Sequence, residues 1–115
     1  MVRKAKDFEQ EIVQNMCGGD GDVVLHHAFH GNEITSKICA CCTVTLQPGC
    51  SVGPHEHHTD DEIYYIISGH GVVEEGNGPV PVGPGDAILT GNGGTHQIAN
   101  TAEEPLIFLA VVVQY

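Results

Sequence analysis

Short apolar runs separated by turns rich in glycine and proline constrain the fold of this chain most strongly. The clearest run alternates apolar and polar side chains from residue 38 to residue 46 and stops at Pro48-Gly49. Similar runs cover residues 23–29, 63–67, 87–90, 96–101 and 106–113. Short runs at this spacing, with turn residues between them, are typical of the antiparallel strands of a sandwich or barrel. The pattern excludes long helices and coiled coils.

A hairpin and an N-terminal arm complete the predicted order of elements. Asn77-Gly78 lies between two valine-rich runs, and Asn-Gly is a strong indicator of a β-hairpin. The secondary structure of residues 5–16 stays open, because the fourfold spacing of Phe8, Ile12 and Met16 suits a helix and also fits alternate positions of a strand. We predict a single domain in which residues 1–35, an arm and first strand, pack on a barrel of residues 36–115.

The charge distribution excludes two classes of partner. Fifteen acidic and four basic residues give a net charge of −11, and no Lys or Arg follows Lys37. A nucleic acid or an anionic membrane surface requires a basic patch, so neither is an expected partner. The chain shows no apolar leader and no apolar run of membrane-spanning length. We therefore expect a cytoplasmic protein with reduced cysteines.

Closely spaced histidines form the strongest candidate site. His55 and His57 are two residues apart, so in a strand both imidazoles project to one side. Glu62 follows near the start of the next predicted strand, and His96 opens a later one. Three imidazoles and one carboxylate suit Fe, Mn, Zn, Ni or Co and contain too much nitrogen for Ca or Mg. We predict that these four residues bind one divalent transition metal.

Two sequence motifs in this region resemble those of the cupin superfamily. Gly49, His55, His57, Glu62 and Gly69 match the pattern G-x5-H-x-H-x4-E-x6-G at every fixed position. The second pattern, G-x5-P-x-G-x2-H-x3-N, is matched by residues 85, 93, 96 and 100, with Gly91 in place of its proline. The resemblance covers residues 36–113.

The resemblance implies an all-β double-stranded β-helix, also called a jelly-roll or cupin barrel. It also implies a metal at the barrel mouth, held by His55, His57, Glu62 and His96. The superfamily includes dioxygenases, isomerases, epimerases and decarboxylases, so the fold alone does not select an activity. We expect a small metal-dependent enzyme, of isomerase or dioxygenase type, that acts on a small oxygen-rich metabolite. The alternative is a non-catalytic module that binds or senses a small ligand.

Several neighbouring residues carry expectations of their own. Tyr64 shares the strand face of Glu62 and is the candidate catalytic acid or hydrogen-bond donor. The alternative is that it lines the cavity without a chemical role. Asp60 and Asp61 are expected in a solvated acidic loop, and residues 26, 27 and 30 in a solvated histidine cluster. Because glycines flank it, His96 is expected to be the most loosely held ligand.

Two further expectations concern the ligand and the assembly. The region that contains the site has no basic residue, so we expect a neutral or singly anionic ligand. Residues 106–113 are apolar on both faces of the predicted strand, whereas a monomeric barrel needs only one apolar face. We therefore predict a homodimer, with the arm contributing to the contact.

Overall fold

The computed structural model describes all 115 residues and consists of ten strands with three short 3-10 turns. The strands are β1 (Glu9–Gln14), β2 (Asp22–Phe29), β3 (Ile38–Leu46), β4 (Ser51–His57), β5 (Asp60–Ser68), β6 (Gly71–Glu74), β7 (Pro79–Val82), β8 (Ala87–Thr90), β9 (Gly94–Ala99) and β10 (Leu106–Gln114). The 3-10 turns are Ala5–Asp7, Met16–Gly18 and Gly31–Glu33. Each turn has only three residues, so the chain has no helix with the length and apolar character to cross a bilayer.

Two antiparallel sheets face each other in this fold. The larger sheet has the strand order β1-β2-β3-β10-β5-β8, and the smaller has the order β4-β9-β6-β7. Apart from β1-β2-β3 and the β6–β7 pair, neighbouring strands in each sheet are not consecutive in sequence, as in the double-stranded β-helix that was predicted. The hairpin predicted around Asn77-Gly78 is the β6–β7 pair.

The hydrophobic core lies between the two sheets. Its most buried members come from alternate positions of the strands, including Leu46, Ile66, Ile98 and Phe108, each at most 1% exposed. Alternate residues of a strand face opposite sides of the sheet, so the apolar alternation read from the sequence fills this core. Strand β10 lies in the middle of the larger sheet. Its ladders with β3 and β5 are the longest strand pairings of the structure.

The N-terminal arm is a strand, which resolves the alternative left open by its sequence. Strand β1 pairs with β2, with Val13 opposite Val23. Val13 is partly buried against the core, whereas Ile12 is 53% exposed. The fourfold spacing of Phe8, Ile12 and Met16 therefore does not mark a common buried face. As an edge strand, β1 extends the larger sheet beyond β2 and does not lie over β10.

Strand β2 departs from simple alternation near its end. A bulge between His27 and Phe29 shifts the register with β3, and Ala28 is buried. Phe29 therefore does not share the face of Val23, Leu25 and His27, as simple alternation from residue 23 would place it. The extra residue in the bulge turns the side chains that follow it.

The turn Met16–Gly18 is attached to β4 by main-chain packing. A Cβ atom added to Gly53 would lie 2.2 Å from the carbonyl oxygen of Cys17, and one added to Gly19 would lie 2.3 Å from that of Ser51. Only glycine permits such a close approach of two backbones. This contact places the side chain of Met16 against the inside of the barrel.

Candidate metal centre

Three strands bring the four residues predicted as metal ligands to one point inside the barrel. Strand β4 contributes His55 and His57, β5 contributes Glu62, and β9 contributes His96. His55 and His96 are direct partners in the β4–β9 ladder, which places their side chains on one face. The donor atoms of the four residues lie within 4.8 Å of one another and could hold a metal ion.

Each imidazole is oriented by a contact at its Nδ1 atom. The partners are the Gly53 carbonyl oxygen for His55 at 2.8 Å, the Asp60 carboxylate for His57 at 2.7 Å, and the Thr90 hydroxyl for His96 at 2.8 Å. A carbonyl and a carboxylate can only accept, so Nδ1 of His55 and of His57 carries the hydrogen. Their Nε2 atoms then carry lone pairs, which are directed toward the centre of the cluster. Such outer contacts fix the tautomer and orientation of metal-binding imidazoles.

The inward atoms form a tight donor set. Nε2 of His96 lies 2.9 Å from that of His55 and 3.1 Å from that of His57. Glu62 Oε1 lies 3.1 Å from His96 Nε2 and 3.2 Å from His57 Nε2. Metal–nitrogen bonds of about 2.1 Å separate donors by ~3.0 Å at right angles and ~3.4 Å at tetrahedral angles. The four separations above are close to the right-angle value, whereas His55 Nε2 and Glu62 Oε1 lie further apart, at 3.7 Å.

The buried carboxylate supplies a second test of whether a metal fits. Glu62 Oε1 is buried and has no hydrogen-bond partner. A buried anionic oxygen without a partner is costly, and lone pairs of imidazoles beside it would add to the repulsion. A cation between these atoms removes both penalties. The residues present therefore fit a divalent transition metal.

The protonation state of Glu62 follows from the short distances between its carboxylate and the neighbouring imidazoles. Burial of the Glu62 carboxylate opposes its ionisation, but the imidazoles of His55 and His96, when protonated at Nε2, outweigh burial through their hydrogen bonds and lower the pKa of Glu62 to about 2. The same carboxylate raises the pKa of His55 above its usual value. Glu62 is therefore an anion at neutral pH, as a metal ligand must be.

Tyr64 lies beside the cluster on the inner face of β5. Its ring stacks on the His96 imidazole, with centroids 4.9 Å apart and 15° between the planes, and it packs against Phe108 on the other side. Burial raises the pKa of the Tyr64 hydroxyl well above 10, and the nearby Glu62 carboxylate adds to this effect. The phenol keeps its proton at neutral pH, so it can donate a hydrogen bond or a proton.

A cavity of about 170 Å³ adjoins the cluster. His55, Glu62 and Tyr64 line one end, and the rest of the lining is almost entirely apolar side chains of β2, β3 and β10 together with Met16. No Lys or Arg lines it. His27 lies at its edge, half-buried, and contacts the Glu11 carboxylate at 2.8 Å. The expectation of a fully solvated cluster at residues 26, 27 and 30 is therefore wrong for His27.

Two other expectations about the site are corrected. His96 is the most buried of the four residues, at 1% exposed, because Thr90 and Tyr64 hold its ring, so it is not the loosest. Asp60 does not belong to a solvated loop, since it opens β5 and orients His57. His58, in contrast, is exposed and contacts Glu56.

A family model described as "Cupin domain" matches residues 42–112 of this chain. The match covers more than half of the sequence and contains the whole donor set. The chain therefore belongs to the cupin family, and its double-stranded β-helix and candidate metal site are those expected of that family.

Individual relatives cover nearly the whole chain. The oxalate-binding protein of Thermotoga maritima is 37% identical to this chain, and the matched region spans 98% of this chain and 93% of the relative. A solved structure described as a predicted oxalate decarboxylase, also from Thermotoga maritima, matches with a TM-score of 0.95 and 36% identity over 100% of both chains. A glucose-6-phosphate isomerase of Thermococcus onnurineus is 41% identical and covers 96% of this chain and 68% of its own length. These names differ in chemistry, so they do not by themselves assign an activity.

Proposed function

We propose that this protein is a small metal-dependent enzyme of isomerase or dioxygenase type that acts on a small oxygen-rich metabolite. The observation that carries the proposal is the convergence of three imidazole nitrogens and the unpartnered Glu62 oxygen beside a cavity. His55, His57, Glu62 and His96 would hold one divalent ion of Fe, Mn, Zn, Ni or Co. Such an ion supplies Lewis-acid polarisation of a substrate oxygen or, if it is iron, reactivity toward O2.

Tyr64 is the proposed catalytic residue. It lines the cavity next to Glu62, and its raised pKa keeps the hydroxyl protonated, so it would serve as a hydrogen-bond donor or acid and not as a base. Tyr64→Phe should reduce turnover but leave metal content unchanged, because the ring still stacks on His96. A variant with unchanged turnover would leave Tyr64 as a lining residue only.

The charge of the site favours a neutral or singly anionic ligand. One divalent ion with one carboxylate ligand retains about one positive charge, and no Lys or Arg lines the cavity. Arg3, one of the four basic residues, is engaged by Glu33 at 2.7 Å. A phosphorylated sugar or a dicarboxylate would bring charge that nothing nearby offsets. In this respect we expect the chain to differ from relatives named for oxalate or glucose 6-phosphate.

The alternative is a protein that binds its small ligand without catalysis. The observation that favours it is the 37% identity to an oxalate-binding protein over 98% of this chain. The two functions differ in one measurable property. An enzyme converts the ligand that it binds, whereas a binding or sensing module returns the ligand unchanged at saturation.

The decisive experiment begins with elemental analysis of the purified protein. We expect one transition-metal ion per chain, and its loss in the double variant His55→Ala/His57→Ala while the β-sheet spectrum persists. Metal at wild-type stoichiometry in that variant would refute the assignment. Matched ligand pairs then test charge: a neutral sugar or diketone beside its phosphorylated or dicarboxylate counterpart. Turnover of only the phosphorylated partner would refute the charge argument.

A homodimer is a further part of the proposal. The outer face of the larger sheet presents Ile63 and Tyr65, 42% and 47% exposed, beside Leu109 and Val111 of β10. The arm lies at the edge of the sheet and leaves this apolar face open. A second copy of the chain would cover it. Sedimentation at micromolar concentration should give a dimer, and a monomer for Tyr65→Glu; a monomeric wild type would contradict the prediction.

A cytoplasmic location also stays part of the proposal. The five cysteines are all free thiols, and Cys42 is buried in the core. Free thiols are usual in a reducing compartment.

A further inference from the structure

The cavity beside the metal centre has a shape and a chemistry that select the ligand more narrowly than charge does. Its volume of about 170 Å³ is close to the ~150 Å³ of an apolar cavity that holds benzene, so it accepts a small organic ligand. Ten of its 13 lining residues are hydrophobic, and the other three are His55 and Glu62 at the donor set and His27, which is engaged by Glu11. A ligand that fills it must therefore be polar at one end and apolar at the other.

A row of small side chains creates this cavity. In the larger sheet, Ala110 of β10 lies directly between Cys42 of β3 and Tyr64 of β5. One step along the strands, Val112 lies between Ala40 and Glu62. Larger side chains in these rows would fill the space next to the carboxylate. The apolar region therefore runs from the metal centre across the inner face of the sheet as far as His27, the β2 partner of Cys42.

The far wall and the cover of the cavity are also apolar. Leu25 and Val44, which are partners across β2 and β3, close it on one side, and Val52 of β4 faces them. Met16 closes it from the turn that is attached to β4. For a ligand that is polar or charged at both ends, this region offers only His27 as a further partner, and that side chain is already engaged by Glu11.

We propose that the ligand is an α-oxygenated monocarboxylate, a 2-oxo or 2-hydroxy acid, with a short unbranched or branched apolar side chain lying in the Ala110–Cys42 part of the cavity. The inference rests on the proposed function, because the carboxylate and the neighbouring oxygen are the groups that a metal at the donor set would chelate. The head of such an acid carries one negative charge. This charge matches the single positive charge that a divalent ion with one carboxylate ligand retains. Its side chain occupies the apolar region, which oxalate would leave unfilled.

The homologous series pyruvate, 2-oxobutanoate and 2-oxopentanoate tests the proposal by calorimetric titration of the protein loaded with one equivalent of Zn²⁺. Each buried methylene should lower Kd about fourfold, so 2-oxopentanoate should bind about 15-fold more tightly than pyruvate. In wild-type protein the methyl NMR signals of Ala40 and Ala110 should shift with 2-oxopentanoate and not with oxalate.

Matched variants separate the cavity from chelation. Ala110→Leu fills the cavity and should remove the gain with chain length while pyruvate still binds. Val111→Leu, which enlarges the neighbouring side chain on the outer face of the sheet, away from the cavity, should retain the gain. If Ala110→Leu does not fold, Ala40→Leu makes the same change at a less buried position of the cavity.

The possible results distinguish this inference from the function on which it rests. Equal affinity along the series with one bound Zn²⁺ overturns the inference alone, as does a length-dependent gain that survives in Ala110→Leu. Failure of the chain to bind stoichiometric Zn²⁺ overturns both the inference and the proposed function. A gain that is present in wild type and in Val111→Leu, but absent in Ala110→Leu, supports it.

Discussion

Asp60→Asn removes the charge from the side chain that orients His57 while it keeps the size of that side chain. The Asp60 carboxylate accepts the Nδ1 hydrogen of His57 at 2.7 Å, and the Asp60 side chain is 24% exposed. The amide oxygen of asparagine can still accept this hydrogen bond, so the imidazole is not left without a partner. The neutral amide cannot make the ring as basic as a carboxylate does. We therefore expect a folded protein whose metal affinity is lower.

The size of the loss can be worked out from these contacts. Removal of an outer-shell partner typically lowers metal affinity about 10–100-fold. Solvent screens the partly exposed Asp60, so we expect the lower part of this range, about 10–30-fold, or ~1.4–2 kcal/mol. A metal that binds only the folded chain stabilises it in proportion to the logarithm of its affinity, so the same energy is lost from the loaded protein. For a chain of this length, the Tm of the loaded variant should fall by about 6–8 °C.

Competition with a chromophoric chelator measures the affinity, and calorimetry with and without metal measures the stability. Asp61→Asn is the matched control, because Asp61 makes its contact with the Tyr115 hydroxyl, at 2.8 Å. We expect wild-type metal affinity in the control. Wild-type affinity in Asp60→Asn, or an equal loss in both variants, would refute the role assigned to Asp60.

Three other substitutions test the packing, the arm and the turn. Phe108→Ala should lower the free energy of unfolding by about 3–5 kcal/mol in urea denaturation, because Phe108 is fully buried, and a loss below 1 kcal/mol would contradict its central place in the core. The Arg3 hydrogen bond lowers the pKa of Glu33 to about 2 from 4.5, so its stabilisation of the arm is complete above pH 4.5 and is lost as the pH falls through about 2. Glu33→Gln should remove that pH dependence from hydrogen exchange of the arm, and an unchanged profile would argue against the ion pair. Gly53→Ala should destabilise the chain by about 1–3 kcal/mol, since its Cβ atom would lie 2.2 Å from a carbonyl oxygen, whereas Gly31→Ala, whose nearest contact is 3.7 Å, should be close to neutral.

The sequence was sufficient to predict most of the strands and the location of the donor set. Alternation of apolar residues in β3 reports directly which face is buried, because the strand period is two. The spacing of His55, His57 and Glu62 is local, so a strand–turn–strand unit brings them together whatever the rest of the chain does. His96 is distant in sequence, so no local spacing places it beside the other three, and the second cupin-like motif added support for its inclusion.

The parts that the sequence did not predict depend on contacts between distant segments. Asp60 was assigned to a solvated loop because alternation alone does not show that the β4–β5 turn is short enough to return it to His57. The spacing of Phe8, Ile12 and Met16 was uninformative, because β1 is an edge strand that buries little. Glycines near His96 suggested looseness, yet Thr90 and Tyr64 fix its ring through contacts that no local pattern encodes.

The attachment of the turn at Met16–Gly18 to β4 has a consequence for how the specificity of this barrel can change. Gly19 and Gly53 hold the turn through main-chain atoms, so this part of its attachment does not depend on the side chain at position 16. That side chain also lines the cavity. Substitution at this one position can therefore reshape the ligand chamber while the main-chain attachment of the turn is kept. A small library at residue 16 is the simplest starting point for redirecting this barrel to longer or bulkier ligands.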